Sequence, residues 1–141
     1  MNGTPVIVPD RAGALANYPH ARRAGGLIFV SGVSSRRADD SYDGVEVRSD
    51  GTVELDIRRQ TRAVIENIRA ILQAAGADLE HVVDATVFLV DMDDYAGMNE
   101  VYNEYFDAAT GPSRTTIGVR QLPGRHLLIE IKVVAIDPAG R

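Results

Sequence analysis

The sequence predicts an α+β fold, a sheet of five or six strands with two helices on one of its faces. Two observations carry that reading. The elements run β-β-(β)-α-β-α-β-β along the chain, and only two segments have helical periodicity, too few to cover both faces of such a sheet. The last strand-like segment is apolar on both sides, with Leu127, Ile129, Ile131 and Val133 on one and Leu128, Val134 and Ile136 on the other. An apolar face without its own helices needs cover from a second chain, so a symmetric homo-oligomer is expected.

Each element has a local cause. Val6-Ile7-Val8, between Pro5 and Pro9, is a short β-prone start, and the polar stretch 18–24 leads into a strand. Leu27-Ile28-Phe29-Val30 lies between Gly25-Gly26 and Gly32, which suits a buried strand. Residues 36–52 are polar and glycine-containing and predict a loop or irregular hairpin. Asp56 is a good N-cap. After it Ile57, Thr61, Val64, Ile65, Ile68, Ile71, Leu72 and Ala75 keep 3–4 spacing until Gly76 stops the helix. Val82 to Val90 reads as a strand, with Val83, Ala85, Val87 and Leu89 sharing a face. Three carboxylates, Asp91, Asp93 and Asp94, favour a helix start. Tyr95, Met98, Tyr102, Tyr105 and Phe106 form the stripe of that helix, and Gly111-Pro112 ends it. Arg114 to Arg120 and Leu127 to Ile136 read as a final hairpin turning at Pro123-Gly124.

At 141 residues the chain is expected to form one domain over 1–141. Fifteen Lys and Arg stand against 20 Asp and Glu, a net charge of −5. Lys132 is the only lysine; the other cations are arginine. Such a balance argues against a general nucleic-acid binder. The absence of cysteine excludes a disulfide frame, a thiol nucleophile and Cys-ligated metal. No basic start with an apolar core precedes residue 10, and no run approaches the roughly 18–20 apolar residues of a membrane span. A soluble cytoplasmic protein without a membrane partner is the expectation.

The predicted final hairpin is the most informative place for chemistry. Centred near Pro123, it sets Thr116 opposite Glu130 with Arg114 one diagonal step away. Two readings stay open: an ion pair holding two strands, or a catalytic pair. The arginine doublets Arg22-Arg23 and Arg36-Arg37 flank the strand at 27–30. They are either solvated loop charges or an anion clamp, and at most one of each pair can face a given pocket. His20, His81 and His126 are widely spaced and show no ligand motif, so no metal is expected. No GxSxG, P-loop or GxGxxG is present. Lys132 reads as a charge partner or a snorkelling side chain rather than a Schiff-base lysine.

Gly111-Pro-Ser-Arg114-Thr-Thr, Leu122-Pro123, Ile129-Glu130-Ile131, Ile28-Phe-Val-Ser-Gly32 and Asp91 to Phe106 with Asn99 and Tyr102 occur together. In this combination the chain resembles the Rid, or YjgF-type, reactive intermediate deaminases over nearly its whole length. The resemblance implies a chorismate-mutase-like mixed sheet, a homotrimer with sites between subunits, and cofactor-free hydrolysis of imines and enamines. It implies that Arg114 binds a substrate carboxylate and that Glu130 orients the attacking water. It places Tyr18, the backbone at Gly32, and Asn99 along the site.

Thr116 stands where many members carry cysteine, so thiol-based control does not transfer, and the turn at Gly124-Arg125-His126 is one residue longer than usual. Tyr18-Pro-His-Ala-Arg-Arg23 and Ser31-Gly-Val-Ser-Ser35-Arg36-Arg37 are similar to one branch, the 2-aminomuconate deaminases of aromatic-compound breakdown. That substrate is a dicarboxylate. Arg114 would take one carboxylate, and a doublet member such as Arg23 or Arg36, with Ser35 and Thr116 nearby, the other. A broad-specificity 2-imino acid deaminase and a non-catalytic trimer that binds small carboxylates are the alternatives.

Overall fold

The computed structural model describes residues 1–140. The strands are β1 (Thr4–Val6), β2 (Ala21–Ala24), β3 (Leu27–Val30), β4 (Val45–Val47), β5 (Val53–Leu55), β6 (Val82–Leu89), β7 (Ser113–Gly118) and β8 (Ile129–Ile136). The helices are α1 (Ile57–Ala74) and α2 (Tyr95–Tyr105). Six strands form one sheet in the order β1-β2-β3-β8-β6-β7, and β4 and β5 make a separate hairpin whose first strand lies in the region 36–52 and whose second lies just beyond it.

Helix α1 forms as its caps and stripe dictate. The Asp56 side chain accepts from the Arg59 N–H at 3.0 Å. At the other end Gly76, at φ +86°, lets the Ala77 and Gly76 amides reach back to the Leu72 and Gln73 carbonyls. Val64, Ile65, Ile68, Ile71 and Leu72 are buried. Gln60, also fully buried, donates to His126 O (3.0 Å) and accepts from the Leu128 amide (2.8 Å), which fixes the approach to β8. Asp91 caps a short 3-10 turn, Met92–Asp94, that opens into α2, and Val101 joins Met98 and Tyr102 on its buried side.

Both helices lie on one face of the sheet, giving the expected α+β layering. Along β8, Ile129, Ile131, Val133 and Ala135 are buried beneath them, and Glu130, Lys132, Val134 and Ile136 point to the other face. That open face carries Phe29 (40 % exposed), Ile117 (41 %) and Ile136 (48 %). In β6 a register irregularity between Val82 and Asp84 turns Val83 outward, so the alternation expected from residue 83 begins at Ala85. Lys132 donates to the Val30 carbonyl at 2.9 Å. No helix among the described residues is long and apolar enough to cross a membrane.

The final hairpin does not form. β7 follows α2 and pairs in parallel with β6, Ala85 beside Arg114 and Val87 beside Thr116. β8 pairs antiparallel with both β3 and β6, and Glu130 stands opposite Phe88, not Thr116. The physical reason lies in the two strands themselves. The polar, largely exposed β7 is suited to a sheet edge, whereas the apolar β8 is suited to the centre, and Pro123-Gly124 turns within the connection between them. His126 and Leu128 precede β8 and take no part in its face.

Candidate functional site

Residues brought together from four parts of the chain line a cavity of about 230 Å³. One wall is the segment 10–20, another the segment 31–38 that leaves β3, and Asn67 and Ile71 of α1 with Leu127 and Glu130 complete it. Of the residues singled out from sequence, Glu130, Tyr18, Gly32 and both Arg36 and Arg37 line this cavity, which corrects the expectation that only one member of a doublet faces a given pocket: the pair lies in a loop and not in a strand.

Glu130 is the chemically distinctive group. It is half-buried and makes no ion pair or hydrogen bond with any described residue, and burial pushes its carboxyl above the usual glutamate range. Gly32 packs against it so closely that a Cβ there would run into Oε1. The glycine therefore lets the backbone meet the carboxylate directly.

The walls are tied down by side chains. His20 accepts at Nδ1 from the Val8 amide (3.1 Å), and its Nε2, 2.9 Å from Ala12 O, carries the proton. Arg36 donates to Asp40 (2.8 Å) and to the Gly13 carbonyl, clasping the first wall to the second. Asn67 donates to Ser34 O (3.0 Å) and Arg36 O (3.2 Å). Arg37 lies 3.4 Å from Asp43. Sequence reasoning passed over Arg11 and Asn67. Asn67 falls three residues after Val64 on the helical repeat, so its inward position was legible; nothing marked Arg11.

Arg114, Thr116 and Asn99 form a second cluster under α2, on the opposite side of the sheet from Glu130. The Arg114 guanidinium lies 4.7 Å from the Tyr102 ring centroid and 5.7 Å from that of Tyr95, and donates to the Tyr95 hydroxyl at 3.2 Å. It makes no salt bridge to a described carboxylate. A hydrogen bond with Asn99 and the nearby Arg114 charge hold the Tyr95 phenol below its usual range. The Tyr102 and Thr116 hydroxyls are buried without partners.

Two expected substrate contacts lie elsewhere. Arg23 projects beneath the helices, where it pairs with the buried Asp137 (2.9 Å) and donates to the Ala75 carbonyl (2.6 Å) at the end of α1. Its position opposite Ile28 in β2 dictates that face. The structure thus corrects its placement in an anion clamp. Ser35 is fully buried and borders a separate shallow depression with Arg37, Asp43, Arg59 and Arg62.

The endoribonuclease L-PSP family model matches residues 9–137. A RutC family protein of Pyrococcus horikoshii is 42% identical over 118 residues, 84% of this chain and 85% of that protein. The Escherichia coli protein named "Putative reactive intermediate deaminase TdcF" is 32% identical over 137 residues, 95% of this chain and 98% of its own length. A crystal structure of E. coli TdcF with bound serine superposes with a TM-score of 0.76 at 28% identity, covering 94% of this chain and 98% of that one.

Proposed function

The chain belongs to the endoribonuclease L-PSP family, which includes the Rid-type proteins, and from that premise we propose that it is a cofactor-free deaminase acting on an enamine or imine dicarboxylate, 2-aminomuconate. The observation that carries the reading is Glu130, a half-buried carboxylate without a partner among the described residues, in a cavity lined by Arg11, Arg36 and Arg37. Burial raises its carboxyl above the usual glutamate range, which makes the carboxylate a stronger base. The family resemblance supports the same role for it.

The site is proposed to be completed between chains. Arg114 and Glu130 face opposite sides of one sheet, and the open face with Phe29, Ile117 and Ile136 is apolar enough to be covered by another copy. In a homotrimer, Arg114 of the partner subunit would meet a substrate held against Glu130. Its guanidinium, unopposed by a carboxylate and backed by two aromatic rings, suits a carboxylate fork.

The reaction needs little more. The enamine takes a proton on carbon, gives one up from nitrogen and becomes an imine. Water beside Glu130 adds to the C=N carbon as the carboxylate removes its proton. The nitrogen receives that proton; as the carbinolamine C–N bond breaks, the hydroxyl proton also passes to the nitrogen, and ammonia and the 2-oxo (2-hydroxy) acid leave. The sum is one imine and one water giving one carbonyl and one ammonia. Imines hydrolyse in water unaided, so positioning supplies much of the rate.

Ammonia release from freshly generated 2-aminomuconate, wild type beside Arg114→Ala, tests the reading; equal rates overturn it. A broad 2-imino acid deaminase is the second reading, and the serine bound to E. coli TdcF, a monocarboxylate, favours it. Imines made from neutral amino acids by an amino-acid oxidase separate the two. If they turn over as fast as the dicarboxylate, specificity for the dicarboxylate is lost. Saturable binding without product would support the non-catalytic carboxylate binder.

A further inference from the structure

We infer that Arg11 recognises the far carboxylate of a dicarboxylate ligand, a role that the doublets Arg22-Arg23 and Arg36-Arg37 do not fill. This rests on the Glu130 cavity being the reaction site, and it sharpens what that site selects.

The arginines around the cavity differ in what they already hold. Arg36 is spent on Asp40 and the Gly13 carbonyl. Arg37 stands beside Asp43 and donates to the Ser41 hydroxyl at 3.1 Å. Arg23 is paired with Asp137 under the helices, and Arg22 reaches only Asn2 and the Gly3 carbonyl, away from the cavity. Arg11 lines the same cavity as Glu130, and among the described residues its guanidinium has a single side-chain contact, a 3.4 Å hydrogen bond to the neutral Asn67 Oδ1. Guanidinium carries five N–H donors, so most of the fork is open. Asp10, the acid beside it in sequence, also lines the cavity but makes no ion pair with it.

Arg11 is also held in place. Its amide bonds to the Val8 carbonyl (3.3 Å), and His20 pins the next residue through Ala12 O. Asn67, which receives the guanidinium, is itself fixed by two carbonyls of the facing wall. A cation on an anchored backbone, with unspent donors, and a half-buried carboxylate that line one cavity make a two-ended site. Glu130 stands by the reacting carbon and Arg11 by the distal anion. Such a site selects an α,ω-dicarboxylate over a monocarboxylate of equal length.

Calorimetry with the full chain tests this independently of turnover. The probes are muconate and sorbate, six-carbon dienes with two carboxylates and one. In wild type, muconate is expected to bind about 10- to 100-fold more tightly, the worth of one charged hydrogen-bonded pair. In Arg11→Gln that ratio should fall toward one, with Arg11→Lys in between because the charge stays and the fork is lost. A muconate-to-sorbate ratio equal in wild type and Arg11→Gln overturns the inference. Absence of ammonia release alongside a ratio that depends on Arg11 would remove the deaminase reading and leave the dicarboxylate site standing.

Discussion

Arg114 and Glu130 stand one intervening strand apart in the same sheet and on its opposite faces, Arg114 level with Ala85 beneath the helices and Glu130 level with Phe88 on the open side. Under the proposed function, a reaction that uses both would draw them from different chains. Arg114→Ala and Glu130→Gln proteins, each inactive alone, should therefore complement when co-expressed. Random assortment in a three-membered ring gives about a quarter of the wild-type number of intact sites. Ammonia release by the purified mixture measures it, and a mixture as inactive as its parents would place both residues in a single-chain site.

Burial raises the Glu130 pKa, so the unprotonated base is lost at a higher pH than for an exposed glutamate. The acid limb of kcat/KM should lie above the ordinary glutamate range and be absent in Glu130→Gln. Linkage runs the other way for stability. A carboxyl whose folded pKa is raised stabilises the fold when protonated, and that contribution is lost as pH rises through the folded value. Glu130→Gln should therefore melt higher than wild type at neutral pH, the gap closing as pH falls below that window. Thermal melts from acid to neutral pH read this out.

Tyr102 supplies a ring face to Arg114 but a hydroxyl to nothing. Tyr102→Phe should keep activity and match or exceed wild-type stability by up to about 1 kcal/mol. Tyr102→Leu should lose about 1–3 kcal/mol and raise KM through a loosened guanidinium. Urea melts paired with steady-state kinetics separate the two effects.

Arg23 is a structural cation. Arg23→Met removes the guanidinium from the buried Asp137 and from the end of α1, and should cost about 3 kcal/mol in unfolding free energy. Its kinetics per folded molecule should be those of wild type. A selective rise in KM for a dicarboxylate would return Arg23 to the site.

Gly32→Ala adds a methyl group where the Glu130 carboxylate lies. The flexible glutamate can swing aside, so the melting temperature should barely move. The displaced base should lower kcat by about tenfold or more. Unchanged kcat would mean that the Gly32 contact does not set the position of the base.

What the sequence made legible was local. Helix α1 could be read residue by residue because its stripe, its Asp56 cap and its Gly76 stop all act within a turn. The bare apolar face followed from counting helices. The partner of β7 was hidden because strand adjacency is a long-range property, and Pro123-Gly124 between two β-prone segments looks the same whether or not they pair. Arg114 and Glu130 were recognisable through motif resemblance, yet their opposed faces followed only from the parallel register with β6. Single polar residues were hardest to sort. Arg23 and Arg36 stood out as members of doublets and hold acids and carbonyls of their own chain, whereas Arg11, alone in a loop, spends one contact on Asn67.

The opposed placement of Arg114 and Glu130 also makes catalysis a report on assembly. Under the proposed trimer, a newly synthesised chain is folded but silent, and specific activity should fall on dilution once subunits part. Damage to one subunit disables two sites, since each chain lends its arginine to one neighbour and its glutamate to the other.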